Sequence, residues 1–296
     1  MRRLIQIGVT SLLLLAILPF TSSGGPTIEV DSGAIFGGQW AQANMSATST
    51  QNLSELPAIV EDYTATWCEN CLEVEHALDT IEPYGLIQQY QFHRSIGETQ
   101  DPFGTEVLDE RWEERYGLRQ PPTVVFNGTL KKVGSVPEFD SLEEDYSSLA
   151  NQSLNLGMGS TTMTWTPTSD LTGTIAWSLT IEDSVTADAR MNVSVWIVEA
   201  SAEFEEGSNG KGIYPHIVRE IIDLGSQRNG TQSIELPQPF DGDDLQIHLM
   251  YSLTPIVAET PVVIDPPVVS EETPALGILS SLAMCVIVAF CRREVD

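Results

Sequence analysis

The sequence has few basic residues for its length. Lys and Arg together number 14 in 296 residues, against 42 Asp and Glu, which gives a formal net charge of −28. Proteins bind phosphate backbones through clusters of Lys and Arg, so this balance excludes nucleic acid as the expected partner. High net charge keeps a protein soluble and discourages non-specific contacts. We therefore interpret the acidity as a heavily solvated exterior.

Cysteine is also scarce. The chain contains only Cys68, Cys71, Cys285 and Cys291, and the last two lie in an apolar C-terminal stretch. A structural zinc site takes about four Cys or His ligands, and there is no second Cys-x-x-Cys and no His-x-x-His cluster. Beyond residue 155 we find no Ser-His-Asp pattern, Gly-rich phosphate loop or metal-ligand spacing. We therefore expect neither a metal nor an organic cofactor.

What is present is a Cys-x-x-Cys pair between a predicted strand and a predicted helix. A β-prone run begins at 58–60, and apolar residues recur at helical spacing over 72–78. Free N–H groups and the dipole at a helix N-terminus stabilise an anion, here the Cys68 thiolate, the nucleophile of disulfide exchange. Cys71 lies three residues on, close enough to close a small ring. The pattern suits a redox dithiol, with a structural disulfide or half a zinc site as alternatives.

Several further residues accompany the pair. Trp67 directly precedes the first cysteine, and Asp62 stands six residues before it. A later segment, 116–128, contains Pro121-Pro122 and ends in Asn-Gly before a Val-Gly at 133–134. Together these matches resemble the thioredoxin superfamily over residues 46–150.

The resemblance implies a role for each matching residue. Asp62 is expected to be buried and to move a proton to or from Cys71. Pro122 is expected to be the cis-proline that helps bind substrate chain, with Pro121 in the variable position before it. An X-Pro cis bond is a minority state that the fold must hold. Trp67 is expected to cover one side of the sulfurs.

The dipeptide between the cysteines departs from the family pattern. It is Glu69-Asn70, and a carboxylate beside Cys68 disfavours its thiolate. Glu69 is therefore predicted to favour the disulfide and a more reducing couple, whereas Asn70 offers a hydrogen bond but no charge. His76 occupies the position of a helix-kinking proline, and we interpret it as a solvated or half-buried helix residue.

The predicted organisation is an α/β thioredoxin-like domain followed by a small antiparallel β-sandwich. A strand-like run at 193–198 and an alternating run at 244–253 indicate the second part. Residues 195–199 and 214–219 resemble the β-rich domain of Omp28-type exported proteins. The predicted segments are a signal peptide 1–24, a flexible linker 25–52, the thioredoxin-like domain 53–150, the β-sandwich domain 155–254, a Pro/Glu-rich stalk 255–274, a transmembrane helix 275–291 and a cytoplasmic tail 292–296.

The two ends of the chain predict its location. Arg2 and Arg3 precede an apolar run and small residues, the plan of a secretory signal, with an uncleaved anchor as the alternative. The run 275–291 ends at a double arginine and, at about 1.5 Å per residue, just spans a hydrocarbon core of about 30 Å. We therefore predict a single-pass membrane protein with the bulk extracytoplasmic, where disulfides persist. A sorting signal cut during surface attachment is the alternative for the tail.

Sequons for N-glycosylation also occur, which would make an exported chain a glycoprotein. They are at Asn44, Asn52, Asn127, Asn151, Asn192 and Asn229.

We predict a thiol–disulfide oxidoreductase that acts on protein substrates. Cys68 attacks, Cys71 resolves the mixed disulfide, and an unidentified dithiol protein supplies or takes the electrons. One alternative is a copper- or haem-maturation thiol protein, for which His76 and His93 are the candidate ligands. The other is a surface scaffold or adhesion protein in which the Cys68–Cys71 disulfide is inert.

Overall fold

The computed structural model describes residues 25–256, which contain thirteen strands and four α-helices. The strands are β1 Ile28–Glu29, β2 Ala34–Gln42, β3 Ala47–Asn52, β4 Ala58–Thr64, β5 Ile87–His93, β6 Thr123–Phe126, β7 Leu130–Val133, β8 Gly159–Ser169, β9 Thr172–Ile181, β10 Ala189–Glu203, β11 Ile213–Gly225, β12 Asn229–Glu235 and β13 Leu245–Pro255. The helices are α1 Cys71–Ile81, α2 Glu106–Tyr116, α3 Leu142–Ala150 and α4 Asp183–Thr186.

The strands form two sheets. The larger has nine strands in the order β1-β7-β6-β4-β5-β11-β10-β13-β2, and the smaller has four in the order β12-β9-β8-β3. Neighbouring strands are antiparallel except at β4–β5 and β5–β11, where they run parallel. Each parallel connection passes through other elements, because parallel strands cannot be joined by a tight turn.

Two of the helices, α2 and α3, begin at a side chain that accepts a hydrogen bond from a free backbone N–H group. The Thr105 hydroxyl accepts from the Leu108 N–H at 3.3 Å at the start of α2, and the Ser141 hydroxyl accepts from the Glu144 N–H at 3.2 Å at the start of α3. Such caps replace hydrogen bonds that the first turn cannot make internally. Apolar residues of α1 recur at three- and four-residue spacing on its buried face, at 74, 77, 78 and 81.

Alternation along β4 sends its side chains to two different cores. One face, with Val60, packs against α1 and α3, and the other, with Ile59 and Tyr63, packs against α2. The α2 core continues through Trp196 of β10 and Met250 of β13 without a break. The small sheet covers the far end of the large sheet through a third core that contains Trp165, Trp177, Val195, Ile197 and Leu249.

The predicted fold class, an α/β thioredoxin-like domain followed by a separate small β-sandwich, is wrong. The described chain is mostly β-structure, and its larger sheet takes strands from both predicted domains. The junction is the parallel pairing of β5 with β11, which places Gln91 opposite Ile217. A strand edge that finds a partner satisfies its backbone groups, so the sheet extends where the sequence suggested a boundary.

The prediction of a flexible linker over 25–52 is also wrong. This segment supplies β1, β2 and β3, which pair with β7, β13 and β8 respectively. Gly37 and Gly38 of β2 adopt positive φ angles at an irregularity in the β2–β13 register, a backbone conformation that glycine adopts without steric cost.

Other predictions fall outside the described residues. The signal peptide 1–24, the transmembrane helix 275–291 and the tail 292–296 all lie there, as does the stalk 255–274 apart from its first two residues. Between residues 25 and 256, no helix has the length and apolar character needed to cross a membrane.

If 25–52 is integral to the fold, truncating an apolar side chain there will destabilise the protein. Phe36 is 1% exposed and stacks on Tyr251 with ring centroids 5.2 Å apart. We expect Phe36→Ala to lower the free energy of unfolding by about 3–5 kcal/mol, the usual cost of emptying a buried aromatic site. Urea denaturation followed by tryptophan fluorescence measures this change.

The matched control is Met45→Ala in the turn between β2 and β3. Met45 is 62% exposed, so its removal should change stability by less than about 0.5 kcal/mol. Equal effects of the two substitutions would contradict the integral role of this segment.

Candidate functional site

Cys68 and Cys71 are joined by a disulfide. The S–S distance is 2.02 Å and the two Cα atoms are 5.3 Å apart. Cys71 is the first residue of α1, and Cys68 lies in the turn just before it. The Cys68 carbonyl accepts a hydrogen bond from the Cys71 N–H at 3.3 Å. Cys68 is 5% exposed and Cys71 is fully buried, so an incoming sulfur reaches Cys68 first.

Asp62 lies beneath α1. It shares a β4 face with Val60, which packs on α1, because alternate residues of a strand point to the same side. Its side chain is fully buried, and no described protein group donates a hydrogen bond to either carboxyl oxygen. Burial raises the pKa of Asp62 well above its usual range, the charges of Glu75 and Asp79 raise it further, and the Lys211 ammonium opposes the rise. Asp62 is therefore held in its protonated form further up the pH scale than an exposed aspartate.

A second buried acidic residue lies on α1. Glu75 is four residues after Cys71, so the two side chains lie on one face of α1, and Glu75 is only 2% exposed. The Thr64 hydroxyl donates to its Oε1 atom at 2.8 Å. The Lys211 ammonium, from the β10–β11 connection, forms an ion pair with its Oε2 atom.

The loop that carries the cysteines is fixed from both sides at Thr66. The Asp101 Oδ2 atom accepts from the Thr66 N–H at 2.8 Å. On the other side the Thr66 carbonyl accepts from the Asn209 N–H at 3.1 Å and from the Tyr214 hydroxyl at 3.4 Å. Asp101 belongs to the β5–α2 connection, whereas Asn209 and Tyr214 belong to the β10–β11 hairpin.

Trp67 is held by the same β5–α2 connection. Its indole N–H donates to Glu98 Oε2 at 2.5 Å, and the Arg94 guanidinium lies 6.0 Å from its ring centroid. Burial opposes ionisation of Glu98, but hydrogen bonds from the Gln100 N–H, the indole and the Thr99 N–H prevail and lower its pKa. A charged Glu98 therefore fixes the ring next to the disulfide.

His93 contacts the Asp101 carboxylate. Its Nδ1 atom lies 2.8 Å from Asp101 Oδ2, and both side chains are buried. Burial works to raise the pKa of Asp101, but the charge and hydrogen bond of His93, with N–H donors from Phe103 and Thr66, lower it overall. His93 thus supports the cysteine loop through Asp101.

Pro121 and Pro122 directly precede β6, at the end of the sheet where β4 leads into the cysteine loop. Thr123 begins β6 opposite Tyr63 near the end of β4, and the Pro121–Pro122 peptide bond directly before it is cis. Pro122 is buried and Pro121 is half-buried. Of the residues between the cysteines, Glu69 and Asn70 are exposed, and His76 is exposed on the outer face of α1.

Sequence reasoning missed several residues that surround the cysteines. The sequence could have indicated Glu75, since a residue four positions after Cys71 on a helix shares its face. No local pattern indicates Asp101, Asn209 or Lys211, because only the folding of distant segments brings them to the site. Within residues 25–256, no cluster of three or more His, Cys, Asp and Glu side chains is placed to hold a metal ion.

No protein-family model matches the chain, and no curated protein matches it in sequence. The chain is similar to a crystal structure of a structural-genomics target protein from Agrobacterium tumefaciens, at 16% sequence identity and a TM-score of 0.41. That likeness covers 68% of this chain and 94% of the other. Neither the fold nor the function is assigned from it.

The raised pKa of Asp62 implies that the free energy of unfolding depends on pH. The unfolded chain ionises this carboxyl near its reference pKa of about 3.9, whereas the folded chain holds the proton to higher pH. Stability is therefore greatest below the unfolded pKa and falls as pH rises toward the folded pKa. We expect Asp62→Asn to remove this fall, making the variant more stable than wild type at pH 8 by about 1.4 kcal/mol for each unit of pKa elevation.

Urea denaturation of both proteins at pH values from 4 to 8 measures the difference. Asp140→Asn is the control, since Asp140 is exposed and its loss should leave the pH dependence unchanged. A stability difference between wild type and Asp62→Asn that stays constant with pH would contradict the assignment.

Proposed function

We propose that the protein is a thiol–disulfide oxidoreductase that exchanges disulfides with protein substrates through Cys68 and Cys71. The observation that carries the proposal is the arrangement around the pair. Cys68, in the turn before α1, is the less buried of the two cysteines, Cys71 at the first position of α1 is fully buried, and the buried carboxyl Asp62 lies under the same helix. An inert structural disulfide needs neither the buried acid nor the difference in access.

The exchange balances without any cofactor. When the protein oxidises a substrate, a substrate thiolate attacks Cys68 Sγ, the Cys68–Cys71 bond breaks, and Cys71 leaves as a thiolate that takes up a proton. A second substrate thiolate then attacks the mixed disulfide and releases Cys68. The substrate is oxidised to a disulfide and the protein is reduced to a dithiol. The reverse sequence reduces a substrate disulfide.

Asp62 is suited to the proton step. In the disulfide form its raised pKa keeps the carboxyl protonated to higher pH, so it can supply the proton that Cys71 needs on leaving. In reverse, its carboxylate accepts the proton of the Cys71 thiol before Cys71 attacks. Because no described residue bonds to either of its oxygens, Asp62 is free to serve the thiol directly or through water.

Trp67, Pro121 and Pro122 are the proposed substrate-binding residues. The Trp67 ring packs against the two cysteines and is held by Glu98 and Arg94. The proline pair directly precedes Thr123, which lies opposite Tyr63 near the end of β4. Their likeness to the thioredoxin-superfamily motif supports this assignment. We also propose that exchange takes place outside the cytoplasm, on the basis of the signal-like residues 1–24.

The redox equilibrium of the pair tests the function. The full-length protein is equilibrated with dithiothreitol or glutathione buffers, and free thiols are read by alkylation gel shift. We expect a single two-electron midpoint between about −270 and −120 mV, the range of thioredoxin-like reductants and oxidants. A bond that stays closed below about −300 mV, as structural disulfides do, would favour the inert scaffold.

The two cysteines are also expected to differ in role. Cys71→Ser leaves Cys68, the less buried cysteine, without its resolving partner. We therefore expect this variant to accumulate mixed disulfides with a disulfide-bonded protein substrate. Cys68→Ser retains only the buried sulfur and is expected to trap at least tenfold less. Non-reducing electrophoresis measures both, and equal trapping by the two variants would refute the assignment.

A further inference from the structure

The β10–β11 hairpin reaches from the second half of the chain onto the cysteine loop. Asn209 of its connection, residues 204–212, and Tyr214 of β11 both donate hydrogen bonds to the Thr66 carbonyl of that loop. Gly207 lies so close that an added Cβ would sit 2.0 Å from the Tyr214 hydroxyl and 3.2 Å from the Thr66 carbonyl oxygen. The hairpin is therefore packed tightly against the redox site.

This hairpin carries a cation into an acidic site. Lys211, one of three lysines in the sequence, forms the ion pair with Glu75, and its side chain is 21% exposed. Its ammonium also lies 5.8 Å from the Tyr214 ring centroid. In an acidic protein with few lysines, one of them is directed at the carboxylate that shares a helix face with Cys71.

Among the described residues, Lys211 is the one cation whose charge lowers the pKa of Asp62. Helix α1 presents Glu75 and Asp79, whose charges disfavour an ionised Asp62, and Lys211 opposes them. Helix α3 presents the Tyr146 hydroxyl. The neighbouring strands place the neutral residues Gln91 and Val124 opposite Asp62.

We propose that Lys211 is a positioning residue of the redox site. Its ammonium balances the charge of Glu75 and so allows Asp62 to give up its proton and accept that of Cys71. This inference rests on the proposed function. It assigns the β10–β11 hairpin a part in proton transfer, because a carboxylate pair without a cation resists ionising its second member.

Carboxyl NMR titration of the full-length disulfide form with ¹³C-labelled aspartate tests the inference without any exchange reaction. The Asp62 signal is assigned by its loss in Asp62→Asn. We expect Lys211→Met to move the Asp62 midpoint up by about one pH unit, the lower end of the effect of a close opposite charge. Glu75→Gln is expected to move it down, and Lys211→Arg to leave it near the wild-type value.

Two further variants keep the test decisive. Lys131→Met removes a lysine of β7 whose ammonium donates to the Tyr116 carbonyl at 2.7 Å, and it should not shift the midpoint. If Lys211→Met fails to fold because Glu75 is left buried and unpaired, Glu75→Gln is compared with Glu75→Gln/Lys211→Met. The double variant should titrate at higher pH than Glu75→Gln alone. An unchanged Asp62 midpoint in the foldable Lys211 variant overturns the inference.

The pH dependence of exchange separates the inference from the function. With wild-type activity present, Lys211→Met should shift the acidic limb of the rate profile upward, making reduction of a disulfide substrate about tenfold slower on that limb for a one-unit shift. A wild-type protein that exchanges no disulfides refutes the proposed function, and the NMR titration still decides the role of Lys211. Active wild type with an unshifted Lys211→Met profile refutes the inference alone.

Discussion

The parallel pairing of β5 with β11 is the constraint on which the site depends. β5 lies beside β4, which leads into the cysteine loop, and β11 begins at the hairpin that packs on that loop. Joining the two strands in one sheet brings together segments more than 100 residues apart in sequence. Without this junction, Thr66 would lose its contacts with Asn209 and Tyr214, and Glu75 would lose Lys211.

The site contains several acidic residues whose surroundings differ. Buried Asp101 and half-buried Glu98 each accept several hydrogen bonds, which stabilise their charged forms and lower their pKa values although desolvation opposes this. Asp62 has no such donors and lies near two other carboxylates, so its pKa rises. A carboxyl group is therefore held in its charged form in one place and in its protonated form in another, because hydrogen bonding to the charged form decides the direction of the shift.

Local sequence patterns predicted many elements well. The strand before the cysteines and the helix after them begin within a few residues of the positions that the sequence predicts. The predictions of the fold class and of a flexible linker over 25–52 were wrong for the same reason. Strand pairing between distant segments depends on which edges meet in space, and periodicity in one segment does not contain that information. The polar composition of 25–52 is typical of loops, yet its strands pair with β13, β8 and β7.

By itself, the sequence determined the two neighbouring cysteines, their spacing, the strand-to-helix change around them and the position of Asp62 six residues before Cys68. These are local features, set by backbone geometry and side-chain period. Only the tertiary structure decided that Cys71 is fully buried, and that Lys211 and Asp101 support the site. Burial and long-range ion pairs arise from the packing of remote strands, and electrostatic effects depend on the distances that this packing fixes.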